Sequence, residues 1–187
     1  MKNSTTTLVQ TAVLGALVVI FDYTLKYSGL KIPFPPFPTL KFDFTGIPIV
    51  LSLLLLGLKS GATTSIVALL AILARSGDVV GASMKALAEF STVLGMALGV
   101  VLFKKSTTLR KPVSYTLGCL SRMLVMVLAN LVVLPLYYER PFFAAVVMIP
   151  YIAAFNLVQG VLTVFGGYLI YEALIRRVPT LAPQEAH

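Results

Sequence analysis

The sequence predicts an all-α integral membrane protein, a single bundle of six transmembrane helices spanning residues 1–187. Three observations predict it. Of the 187 residues, 58% are hydrophobic and only 12% charged, and the mean hydropathy is +0.92. A soluble domain carries about a quarter charged residues. The apolar residues fall into long runs, and a bilayer requires about 20 such residues per helix. The segments between the runs are rich in Gly, Pro, Lys and Arg, which end helices and mark membrane edges.

The first span is expected over Thr7–Tyr27. It follows one lysine and a Ser/Thr patch, and no small-residue cleavage site comes after it, so it reads as a retained helix. The second (Phe44–Leu58) and third (Gly61–Ala74) are short. Lys59-Ser60-Gly61 is the break between them, as in two short helices joined by a tight turn. The fourth, fifth and sixth are expected over Ser83–Phe103, Val113–Tyr137 and Phe143–Leu174, with Pro150 starting or kinking the sixth near one end. Residues 178–187 read as a flexible tail.

Six spans put both termini on one side. That side collects Lys2, Lys59, Lys104, Lys105, Arg110, Lys111, Arg176 and Arg177. The other holds Lys31, Lys41, Arg75 and Arg140, with Lys26 at the end of the first span. The basic-rich side is normally cytoplasmic. Both termini are therefore expected inside a plasma membrane, with residues 28–42 outside. The net charge of +8 then reports orientation. No basic patch with interleaved aromatics points to nucleic acid.

The outer segment is "KIPFPPFPTLKFDFTGIP" (Lys31–Pro48), with five prolines and four phenylalanines. Proline fixes φ, so this loop is expected to be stiff. Asp43 stands just before the second helix, where a carboxylate suits the free N–H groups and the helix dipole. It serves there either as a cap or as part of a site.

Ionisable and amide groups inside spans are costly and therefore informative. Lys85 and Glu89 are four apart on the fourth helix; they form a structural ion pair or the polar wall of a pocket. Asn130 lies deep in the fifth helix, and Asn156 and Gln159 share a face of the sixth. Such amides either bridge helices or pair with the donor and acceptor edge of a polar heterocycle. Asp22 is expected to pair with Lys26, one turn on. Arg122 is expected to snorkel to the interface, and Glu172 to sit near Arg176. Ala12, Gly15 and Ala16 form a small-residue face for internal packing or for another membrane subunit.

The sequence also excludes function classes. Cys119 is the single cysteine and His187 the single histidine, so neither a metal centre nor histidine catalysis is expected. Walker A, nucleophile-elbow and H-E-x-x-H motifs are absent. A non-catalytic protein without a cofactor is expected, and one that hydrolyses no ATP by the Walker route.

Three segments carry a resemblance. "PFPPFPTLKFDFTGIP" is similar to the proline-rich loop and L-K-x-D-F start of the second helix in the riboflavin-binding S components, the RibU group, of energy-coupling-factor (ECF) transporters. "RMLVMVLANLVVLPLYY" and "PYIAAFNLVQG" resemble that group's R-M…N…P-L-Y and P-x-x-x-F-N stretches. Gln159 stands where the group has lysine.

The resemblance implies a membrane-embedded subunit that captures riboflavin or a related heterocyclic vitamin from outside. Its partners would be a transmembrane scaffold subunit and two ABC-type ATPases. Docking on the scaffold would use Ala12 and Ala16 of the first helix, with Gly15 between them. The loop over Lys31–Lys41 would cap the ligand. The site would draw on Thr39, Leu40, Lys41, Asp43, Lys85, Glu89, Asn130, Asn156 and Gln159. The alternative is a stand-alone secondary carrier of a small organic solute with Lys85 and Glu89 as coupling groups, or an S component for a different vitamin.

Overall fold

The computed structural model describes residues 4–104 and 106–181. These form, in order, α1 (Ser4–Tyr27), β1 (Ile32–Phe34), β2 (Phe37–Phe42), α2 (Gly46–Leu56), α3 (Leu58–Ser76), α4 (Val79–Leu102), α5 (Thr107–Leu136) and α6 (Phe142–Arg177). A 3-10 turn over Pro179–Leu181 closes the described chain. The rest of the expected tail, 182–187, lies outside the described residues.

Five of these six helices are long and apolar enough to cross a membrane. The exception is α2, whose 11 residues reach about 16 Å, half of the roughly 30 Å hydrocarbon core. It is instead the hub of the bundle, touching α1, α3, α4 and α6. Ile49 packs with Val18, Ala68 and Val93, and Val50 with Met96, Cys119 and Val164. A short helix with apolar residues all round is a buried helix. The outer faces of the long helices expose Leu70, Val101, Leu128 and Phe165, as a lipid environment allows.

The break between α2 and α3 falls at Gly57, not at Lys59-Ser60-Gly61. Gly57 has φ 92°, a left-handed value that other residues resist, and its N–H reaches Leu53 O at 2.9 Å. Gly61 serves helix packing instead. A Cβ there would lie 2.8 Å from Val93 Cγ1, so its lack of a side chain admits α4. The next junction is also compact. Gly77 ends α3 in the left-handed region, and Asp78 caps α4 by accepting the Gly81 N–H at 2.9 Å. Helix α4 thus begins four residues before the expected Ser83, and Lys85 lies well inside it.

The proline-rich loop is not all-α territory. Ile32–Phe34 and Phe37–Phe42 pair as an antiparallel ribbon, Ile32 opposite Phe42 and Pro33 opposite Lys41, with an irregularity between Pro33 and Phe34. Both strands of such a ribbon are edges, where proline is tolerated. Aromatic contacts hold it down. Phe34 and Phe42 pack on Phe155 of α6 at 5.7 and 4.8 Å between ring centroids, and Phe37 on Tyr151 at 5.3 Å.

Pro150 lies within α6, which starts at Phe142 after Pro141. It removes one helix donor without ending the helix.

Candidate functional site

The hairpin borders a cavity of about 1140 Å³. Three helices and the ribbon build its walls. The first turns of α4 contribute Lys85 and Ala88, α5 contributes Arg122, Met126 and Asn130, and α6 contributes Phe155 and Asn156. Arg122, Met126 and Asn130 are spaced by four and so line one stripe of α5. From the hairpin and the segment after it come Phe37, Thr39, Leu40, Lys41 and Asp43.

Behind this wall runs a chain of alternating charges. Arg75 Nε meets Asp22 Oδ2 at 2.7 Å, and Asp22 Oδ1 meets Lys31 Nζ at 2.9 Å. Lys31 continues to Asp43 Oδ2 at 3.4 Å, and Asp43 Oδ1 accepts from Lys85 at 2.7 Å. Lys85 then approaches Glu89 Oε1 at 3.2 Å, and Arg122 Nη1 approaches the same oxygen at 3.0 Å. The last two are ion-pair distances without hydrogen-bond alignment. The chain links α3, α1, the hairpin base, α4 and α5. It ties the base of the hairpin to the bundle.

Asp43 is the middle of that chain. Burial would raise its pKa, but Lys85 and Lys31 reverse this and hold it at about 2. Its Oδ1 also accepts the Thr45 N–H at 3.2 Å, which orders the entry to α2. Its backbone is held as firmly. Gln159 Oε1 accepts the Asp43 N–H at 3.2 Å, and Gln159 Nε2 donates to Asp43 O at 2.7 Å.

The expected site residues therefore divide. Thr39, Leu40, Lys41, Asp43, Lys85, Asn130 and Asn156 come together around the cavity. Glu89 and Gln159 do not line it. Glu89 is fully buried behind Lys85, its carboxylate against Gly46. Gln159 has both amide atoms engaged by Asp43 and by Thr163 Oγ1, so it positions the base of the hairpin. Asn130 and Asn156 donate to the Met126 and Ile152 carbonyls of their own helices.

Four members of the charge chain were not expected in it. Asp22 faces inward to Lys31 and Arg75, nine and 53 positions away, while Lys26 is exposed. Arg122 does not snorkel: it is 2% exposed and paired with Glu89. The available signal was a lone charge inside an apolar run, which demands a partner without naming it. Glu172 does sit near Arg176, at 4.0 Å, but is nearer Lys111, at 3.2 Å.

On α1, Ala12 and Ala16 are exposed beside Leu8, Val9 and Val13. Gly15 is not on that face. It is buried, its Cα turned to Val67 of α3, because it lies about 100° round the helix from Ala16.

A largely apolar cavity with a few charged and amide groups, set in a bundle of membrane-length helices, is the architecture of a membrane-embedded binding protein. Residues 6–171 match the family model for the ECF transporter, substrate-specific component. The chain belongs to that family, which assigns it a substrate-binding part in transport rather than a catalytic one. The fold agrees with a solved structure described as the structure and mechanism of the S component of a bacterial ECF transporter. The TM-score is 0.77 at 23% identity, over 94% of this chain and 99% of that one. No curated protein matches the sequence.

Proposed function

We propose that this chain captures riboflavin, or a related flavin or heterocyclic vitamin, from outside the cell and delivers it through an ATP-driven complex. The observation that carries this reading is the cavity. It is bordered by an aromatic-anchored hairpin and presents two carboxamides, Asn130 and Asn156, among apolar walls. A flat ring gains on the order of 25 cal/mol per Å² of apolar area buried there. Asn side chains offer both donor and acceptor to its polar edge.

The hairpin faces outside in this reading, and both termini are cytoplasmic, which has α2 and the segment before it carry the chain back inward so that α3 can return to the hairpin side, where Arg75 meets Asp22. Lys31 pairs with Asp22 and Asp43, and Arg75 with Asp22, so the hairpin side, already the poorer in basic residues, carries less net loop charge still than the opposite side. The complex would comprise a transmembrane scaffold subunit and two ABC-type ATPases. The outward Ala12 and Ala16 give a scaffold helix close approach.

The test is to purify the full chain in detergent, record its visible absorbance, and identify the extracted ligand by mass spectrometry. A flavin or other heterocyclic vitamin is expected, with affinity reduced in Asn156→Ala. If no heterocycle co-purifies and none binds when added, the reading fails. Solute uptake into liposomes by this chain alone would replace it with a stand-alone carrier.

A further inference from the structure

The charge chain does not balance. Its cations are Arg75, Lys31, Lys85 and Arg122; its anions are Asp22, Asp43 and Glu89. Four against three leaves one positive charge. The two ends of the chain are not equivalent. Arg75 has a side chain 10% exposed near the end of α3, whereas that of Arg122 is 2% exposed. At the buried end Arg122 has only Glu89, which it shares with Lys85, and incomplete compensation away from water is costly, so this end has room for a further anion.

Arg122 is also under-satisfied. Its Nη1 reaches Glu89 Oε1 off the hydrogen-bond direction and Thr92 Oγ1 at 3.5 Å, and its buried Nε has no hydrogen-bond partner among the described residues. The side chain borders the cavity. Its Cδ crosses α6 at Gly160, where a Cβ would lie 3.4 Å away, one turn from Asn156. On α5 it sits eight residues from Asn130, about 12 Å along the axis. Arg122 and Asn156 therefore mark the floor, and Asn130 a higher level of the wall.

We infer that the transported ligand bears an acid group, a carboxylate or a phosphate, that seats on the Arg122 guanidinium at the cavity floor and completes the alternation of charge. Arginine presents a planar fork of N–H donors suited to either oxyanion. The rest of the cavity favours the same sign: Lys41, Lys85 and Arg140 line it with Arg122, against Asp43 and Asp78. A positively lined cleft concentrates anions at its mouth. The inference rests on the cavity being the ligand site and narrows the substrate class to acidic heterocyclic or acidic vitamin-like molecules.

The test uses the purified full chain in detergent, washed free of ligand, and probes matched in shape but not in charge. Nicotinate against nicotinamide and pantothenate against pantothenol form the carboxylate arm. Riboflavin 5′-phosphate against riboflavin forms the phosphate arm. In at least one arm the acid is expected to bind about 10- to 100-fold more tightly, the range of a charge-assisted hydrogen bond. Added salt should reduce that margin. Arg122→Gln should erase it and Arg122→Lys should keep part of it. Asn156→Asp, which retains Arg122 and supplies a resident carboxylate, should reverse it, and covers the case in which Arg122→Gln fails to fold.

If neutral members bind as tightly as acids, or the preference survives both Arg122→Gln and Asn156→Asp, the inference is overturned while the vitamin-capture reading stands. If no probe binds, the extracted ligand decides: an acid upholds the inference and a neutral molecule overturns it. With no ligand by either route, both fall.

Discussion

Asp43→Asn isolates the charge at the centre of the network. The substitution keeps the shape and leaves an acceptor for the Thr45 N–H, but it removes the counter-ion shared by Lys85 at 2.7 Å and Lys31 at 3.4 Å. A carboxyl held at about 2 instead of 3.8 is favoured in its charged form by about 2–3 kcal/mol, at a little over 1 kcal/mol per pH unit. Losing a buried pair outright costs about 3–5 kcal/mol. Here the figure sits lower because Lys31 keeps Asp22 and Lys85 keeps Glu89. At about 2–4 °C per kcal/mol for a chain of this size, the melting temperature should fall by about 5–10 °C.

The single cysteine, Cys119, is buried, so a thiol-reactive dye reports unfolding directly. The pH dependence has a definite sign. A depressed carboxyl contributes stability that is complete above its unfolded value near 3.8 and is lost as pH falls through about 2. The gap between Asp43→Asn and the parent should therefore be constant from pH 7 to about 4 and narrow below it. A variant melting within about 2 °C of the parent at pH 7 would refute that tie, as would a gap unchanged down to pH 2.5.

Gln159→Leu removes both amide contacts to the Asp43 backbone and leaves a buried N–H and C=O unpaired, at about 1–3 kcal/mol each. Hydrogen exchange over residues 31–45 should accelerate, and slow exchange there would show that the clasp is idle. Gly46→Ala would drive a Cβ into the Glu89 carboxylate and the Thr163 methyl. Overpacking of this kind costs about 1–3 kcal/mol or more, so a lowered melting temperature is expected and an unchanged one counts against the packing. Ala12→Trp with Ala16→Trp should abolish uptake in cells while leaving ligand affinity and melting of the isolated chain unchanged, since both sites face outward. Uptake that survives would move the docking face elsewhere. Gly15→Trp, by contrast, should destabilise the isolated chain, because that position packs on Val67.

The helices were legible because hydrocarbon imposes a local rule. A run of about 20 apolar residues can satisfy its backbone only as a helix, and that rule acts on each segment alone. The same rule marked Lys85, Asn130 and Asn156 as exceptions worth explaining. It left α2 open, because an apolar run signals burial but not whether lipid or protein provides it. It was silent on the hairpin, whose strands depend on the rings of Tyr151 and Phe155 more than a hundred positions away.

The charge network shows the division most clearly. Sequence spacing offered Lys26 to Asp22 at one helical turn, yet the folded chain gives Asp22 to Lys31 and Arg75, Asp43 to Lys85, and Glu89 to Arg122. By itself the sequence determined a membrane bundle, its lone buried charges and a stiff loop, because desolvation and backbone restriction are properties of short segments. Only the tertiary structure decided which charges meet, that Gln159 clasps the backbone of Asp43, and that Lys85 and Arg122 share the Glu89 carboxylate. Those outcomes depend on through-space distances between helices, which no local spacing encodes.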